Sequence, residues 1–223
     1  MITRTIHIPV QKIKLKAELS IPNEPKGLII FAHTGGKSHI VIGYHKICNK
    51  LLEKDFATLL LPLVTTLPED QSNKVQDVEF LAQRLSLSVQ WLVRQEFYKN
   101  WNIGFLSTGI GSAVSLIAAT YLGPSTIKAV ISFGGQPELA DNSLSFVEVP
   151  ALLMVGDEVN NRLKQNKIAL KKLKGPKELV VIPGASRDFD KDSDLHQVIE
   201  LTTRWFLKYL YWPQAEVDKD FID

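Results

Sequence analysis

The residues with most chemical promise lie in Asn102-Ile103-Gly104-Phe105-Leu106-Ser107-Thr108-Gly109-Ile110-Gly111-Ser112-Ala113. An apolar strand runs here into a glycine-studded turn and then into a helix of small residues. Such a turn can hold a hydroxyl or thiol above a sheet, where a nearby base activates it to attack a carbonyl. Ser107 offers one hydroxyl at the turn, whereas Gly109 has no side chain to attack with. His33-Thr34-Gly35-Gly36-Lys37-Ser38 follows an apolar run, and its glycines would let backbone N–H groups converge on an anion. A plain glycine turn between strand and helix fits that segment equally well. Gly36-Lys37-Ser38 also mimics the end of a phosphate-cradling loop, but that motif needs a glycine where Phe31 stands, which rejects it.

Other reactive types read more blandly. His33, His39 and His45 lack a carboxylate or cysteine to complete a metal pattern, so solvated loop histidines are expected. Cys48, beside Leu51 and Leu52, falls on an apolar helical face, as a buried structural thiol would. Trp205, Phe206, Tyr209 and Tyr211 read as the docking face of a terminal helix. No metal and no cofactor is expected.

These groups need a frame to position them. Thr5 to Val10 and Ile13 to Ile21 alternate apolar and polar residues, as half-buried antiparallel strands do. Leu28 to Ala32, Ala57 to Leu63, Ile103 to Leu106, Ala129 to Phe133, Ala151 to Val155 and Leu179 to Ile182 are continuous apolar runs. That is the mark of strands covered on both faces. Helical periodicity fills the gaps at Tyr44 to Lys54, Val75 to Arg94, Gly111 to Leu122, Asn161 to Leu173 and Leu195 to Tyr209. The alternation predicts an α/β fold with a mostly parallel, doubly wound sheet of seven or eight strands and antiparallel strands at the N-terminal edge. One domain over residues 1–223 is expected, with 212–223 as a loose tail.

Composition narrows the class. Lys plus Arg number 26 against 24 Asp plus Glu, which gives no reason to expect nucleic acid or an anionic membrane as partner. The single cysteine excludes an internal disulfide and fits a reducing compartment. Arg4, His7 and Gln11 interrupt any early apolar run, and every apolar run is strand-sized. A soluble, cytoplasmic protein is the expectation.

Four segments together resemble the dienelactone-hydrolase-like branch of the α/β-hydrolases over nearly the whole chain. They are Gly27-Leu28-Ile29-Ile30-Phe31-Ala32-His33, Phe56 to Leu63, Ala151-Leu152-Leu153-Met154-Val155-Gly156 and Lys177 to Ala185. The resemblance implies a triad in chain order nucleophile, acid, histidine, each at a strand's C-terminal end. In the register of the helix from Ser112 to Leu122, Gly109-Ile110-Gly111 matches the nucleophile, its successor and a glycine, while Ser107 replaces the motif's first glycine. Asp157 keeps the acid position, with Glu158 as competitor in a loop shorter than the family's, and Arg187 stands at the histidine's place. A glycine cannot attack, and an arginine that stays protonated cannot act as a general base.

Two functional readings follow. The first is a hydrolase scaffold without hydrolase chemistry, with a pocket rimmed by Thr34, Gly35, Gly109, Ile110, Asp157 and Arg187 that serves a small molecule or a protein partner. In it, Arg187 and Asp157 pair across the vacant triad. The second is a divergent serine esterase or lactonase using Ser107, with strand β-structure ending two residues earlier and His196 folding in as base. For Ser107 an ordinary turn hydroxyl bonded to backbone is preferred. Oligomeric state leaves no mark in the sequence.

Overall fold

Apolar strands with no polar face must be covered on both sides, and the computed structural model arranges them so. It describes residues 1–34, 38–65, 76–96, 98, 101–157, 160–186, 189 and 191–210, without the side chains of 38–42 and 160. Predicted tail residues 212–223 lie outside this set. Eight strands follow in chain order: β1 (Ile2–Val10), β2 (Ile13–Ile21), β3 (Leu28–His33), β4 (Ala57–Pro62), β5 (Ile103–Thr108), β6 (Ile127–Phe133), β7 (Ala151–Gly156) and β8 (Lys177–Ile182). The helices are α1 (Ser38–Leu52), α2 (Val78–Val93), α3 (Gly111–Thr126), α4 (Asn160–Lys172) and α5 (Asp192–Tyr209).

The strands form one sheet in the order β1-β2-β4-β3-β5-β6-β7-β8. β1 pairs antiparallel with β2, and β2 antiparallel with β4, while the β4, β3, β5, β6, β7 and β8 pairings are all parallel. The expected fold class therefore holds, antiparallel N-terminal edge included. β3 and β7 are buried at every residue, as continuous apolar runs in a doubly covered sheet must be. Among the described residues no helix is long and apolar enough to cross a membrane.

Two apolar layers sandwich the sheet. On one face α2, α3 and α4 pack Leu81, Leu85, Val89, Ala113, Val114, Ile117 and Ala169 onto Leu28, Ile30, Phe105 and Val130. On the other, α1 and α5 pack Ile47, Leu51, Val198, Trp205 and Phe206 onto Ile29, Phe31, Leu106 and Ile131. Trp205 and Phe206 are thus the docking face expected of α5, while Tyr209 is half-buried and Tyr211 lies outside the described residues. α2 starts where Asp77 Oδ1 accepts from the N–H groups of Glu79 and Phe80, at 3.0 and 3.1 Å. The helical pattern of α3 breaks at Gly123, φ 71°, ahead of Pro124.

One close contact fixes the central strand against α5. A Cβ on Gly104 would stand 2.5 Å from Cε1 of Phe206. We expect Gly104→Ala to lower stability by ~1–3 kcal/mol through overpacking, read as a shift in the urea-unfolding midpoint. Combining it with Phe206→Leu should recover part of the loss. Strictly additive losses in the double mutant would show that the ring contact is not the cause.

Candidate functional site

The C-terminal ends of the parallel strands gather the candidate residues, as in open α/β sheets generally. β5 ends at Thr108 and α3 begins at Gly111, so the chain turns from strand to helix across Gly109 and Ile110. Gly109 takes φ +56°, a left-handed conformation that costs other L-residues about 1–2 kcal/mol. Among the described residues no heavy atom lies within 4 Å of the point where its Cβ would stand. Gly111 sits tightly beneath it, its Cβ position 3.3 Å from the Ala32 carbonyl and 3.5 Å from Ser107 Cβ.

Ser107 lies below this apex. Its side chain has no exposure, and its hydroxyl donates to the Ile131 carbonyl at 3.2 Å. That is the backbone-bonded turn hydroxyl preferred from sequence. The histidine its alternative role required is also elsewhere: His196 lies on α5, 73% exposed, with Nδ1 3.8 Å from Glu200 Oε1. β5 continues through Ser107 to Thr108, so the strand does not end two residues earlier as that reading supposed.

Asp157 follows β7, where its Oδ1 accepts from the Gly184 N–H at 2.7 Å. The carboxylate therefore ties the end of β7 to the turn after β8. That turn approaches closely, since a Cβ on Gly156 would stand 2.0 Å from the Ala185 carbonyl oxygen. Thr34 and Ile110 are half-buried at the ends of β3 and β5. Gly35, Glu158 and Arg187 lie outside the described residues, and with them the expected Arg187–Asp157 pair.

A clamp behind the turn went unread in the sequence. Gln136 donates its backbone N–H to the Gly109 carbonyl at 2.9 Å. Arg162 Nη1 and Asn166 Nδ2, one turn apart on α4, both reach the Gly135 carbonyl, at 3.3 and 3.4 Å. With its amide oxygen turned to Arg162, Gln136 accepts from the guanidinium at 2.8 and 3.2 Å. Gly135 admits no side chain, for a Cβ there would stand 2.0 Å from Ser132 Oγ and 2.5 Å from Ser112 Cβ. Gly134-Gly135 after an apolar strand was the available signal; the Arg162 and Asn166 partners, being backbone carbonyls, leave none.

The histidine expectation needs correcting. His33 ends β3 and is buried at 9% exposure, its ring 5.3 Å from that of Tyr44. Burial, and secondly the charge of His45, lower its pKa to about 4. His45 is not in a loop but on α1, its Nδ1 3.4 Å from Glu18 Oε1. His39 also falls within α1, its side chain outside the described set. Cys48 is buried as expected, its thiol pushed up to about 12 by burial first and the Glu18 charge second. Among the described residues no group of three or more His, Cys, Asp or Glu side chains could hold a metal ion.

The strand order and the left-handed turn after the central strand define an α/β-hydrolase fold. No protein-family profile matches the chain. It is, however, 33% identical to dienelactone hydrolase from Anabaena variabilis ATCC 29413, covering 94% of this chain and 98% of that one with a TM-score of 0.88. The chain belongs to the dienelactone hydrolase family. Est1E from Butyrivibrio proteoclasticus shares the fold at 18% identity and a TM-score of 0.73, over 92% of this chain and 98% of that one. Two Mycobacterium tuberculosis proteins, from strains CDC 1551 and H37Rv, are named as proposed phosphoribosyl transferases. Each is 34% identical over 211 residues, 93% of this chain. The chain spans 47% of their length, about half of each of these relatives.

A histidine held neutral by burial makes stability depend on pH. The unfolded His33 protonates near 6.5 and the folded one near 4, so between these values the unfolded state binds more protons. Stability is then full above pH 6.5 and falls as pH drops toward 4, by up to ~3 kcal/mol for a shift of this size. Urea unfolding of wild type and His33→Gln at several pH values in this window checks it. The variant should show the flatter dependence, and equal slopes would remove His33 as the cause.

Proposed function

We propose that this member of the dienelactone hydrolase family binds a small organic ligand over the Gly109 turn and does not hydrolyse it. The observation that carries the reading is Gly109 itself, which holds the left-handed apex with no attacking atom and with no described heavy atom within 4 Å of its Cβ position. The buried, backbone-bonded state of Ser107 supports it further, since a hydroxyl spent on Ile131 is not presented to a substrate. By sequence register the position of the family histidine holds Arg187, whose fork of donors suits a carboxylate or phosphate. Thr34, Gly35, Ile110 and Asp157 complete the proposed rim.

Hydrolysis of nitrophenyl acetate tests the loss of chemistry. Backbone donors alone can give a residual acceleration, so the informative comparison is with Ser107→Ala. We expect trace activity at most, and no change on substitution. A loss of tenfold or more, about 1.4 kcal/mol of transition-state stabilisation, would restore Ser107 as a nucleophile.

A second reading concerns a partner. The Mycobacterium tuberculosis relatives are named for phosphoribosyl transfer, yet the stretch this chain matches is under half their length, and this chain has a hydrolase-family fold. We propose that the transferase chemistry belongs to their unmatched portion, and that this chain works beside such a transferase. Calorimetry of this chain with phosphoribosyl pyrophosphate should then give no binding heat. Saturable binding would place the transferase site in the matched region.

A further inference from the structure

We propose that the outer face of α4, with the short 3-10 turns Pro137–Ala140 and Leu144–Phe146 beside it, docks an acidic, apolar-centred segment of a protein partner. α4 carries Arg162, Lys164, Lys167, Lys171 and Lys172 and no acidic residue. Arg162 is turned inward onto Gly135, and Lys172 pairs with Asp141. Lys164, Lys167 and Lys171 remain, with no side-chain hydrogen bond or ion pair among the described residues. Spacings of four place Leu163, Lys167 and Lys171 in one row along the helix, and Lys164, Ile168 and Lys172 in the next. Leu163, Lys164, Lys167, Ile168 and Lys171 line an open concavity of about 400 Å³.

Apolar side chains are exposed on α4 and on the two turns packed against it. Ile168 is 47% exposed, Leu139 45% and Phe146 70%. Both short turns pack against α4, and the Val147 carbonyl after Phe146 accepts from Lys174 N at 2.9 Å, just past the helix end. Exposed apolar groups close in the fold to exposed cations are an interface pattern, not a core one. Like charge rules out a second copy docking this face on itself. A nucleic-acid backbone offers nothing to Leu139, Phe146 and Ile168, and the one guanidinium of α4 is spent internally. What matches both features is carboxylates flanking apolar side chains. The matched region in the Mycobacterium tuberculosis relatives also stands beside further protein in the same chain. This site is separate from the Gly109 turn and does not rest on the ligand reading given for it.

The test uses the whole chain, labelled with ¹⁵N, and three probes: an amphipathic helical peptide built of Glu and Leu, polyglutamate, and a DNA duplex. We expect the Glu/Leu peptide to shift the amide signals of Leu163 to Lys171, Leu139 and Phe146, and to bind more tightly than either other probe. Phe146→Ser with Ile168→Ser should weaken that binding at least tenfold. Lys164→Glu with Lys167→Glu should do the same and remove its salt dependence. All four positions are surface ones, and circular dichroism confirms that the variants remain folded. Signals that do not move at these residues, polyglutamate binding as tightly as the peptide, or the duplex binding more tightly would each overturn the proposal.

Discussion

The sheet and its helices meet at a turn that only one kind of backbone can make. β5 is hydrogen-bonded to β3 and β6 on its two sides, and α3 must start directly above it. Leaving an extended strand and entering a helix within two residues requires the left-handed conformation that Gly109 supplies without strain. The neighbouring crossings are held by small residues for the same reason. Gly111 fits against the Ala32 carbonyl, and Gly135 fits where Ser112 and Ser132 leave no volume for a side chain. Backbone contacts at this density carry the geometry of the strand ends, whatever side chains rim them.

That geometry separates scaffold from chemistry. Identity of 33% over almost the full length of a dienelactone hydrolase accounts for the sheet order. Reaction chemistry depends on very few side chains, and a fold can persist when those few change. Asp157 illustrates the difference. Its bond to the Gly184 N–H joins two strand ends, a structural role open to it with or without a histidine to orient.

Most of the fold was legible because burial on both faces forces uninterrupted apolar strands. The boundaries erred where tertiary contacts extend pairing past the apolar run, as at Lys177 and Glu178, which pair with Ala151 and Leu152. α1 starts earlier than its pattern suggested, at Ser38 instead of Tyr44. At the site, the turn at Gly109 was legible from the glycine spacing and the small-residue helix after it, although a second register two residues earlier also fitted the sequence. His33 was not, since its burial depends on Tyr44 arriving from α1, and a lone histidine after a strand looks the same wet or dry. The Gln136, Arg162 and Asn166 clamp was illegible for a different reason. Its acceptors include the carbonyls of Gly109 and Gly135, and every residue type has a carbonyl.

Cys48 gives the molecule a clock. It is the one cysteine of the chain, packed under α1 with Ile47 and Leu51, and a thiol pushed up to about 12 holds almost no thiolate in neutral water. Buried on the inner face of α1, it meets a disulfide reagent chiefly when the structure opens around it. The rate of thiol capture therefore reports on the openings that expose this face of α1.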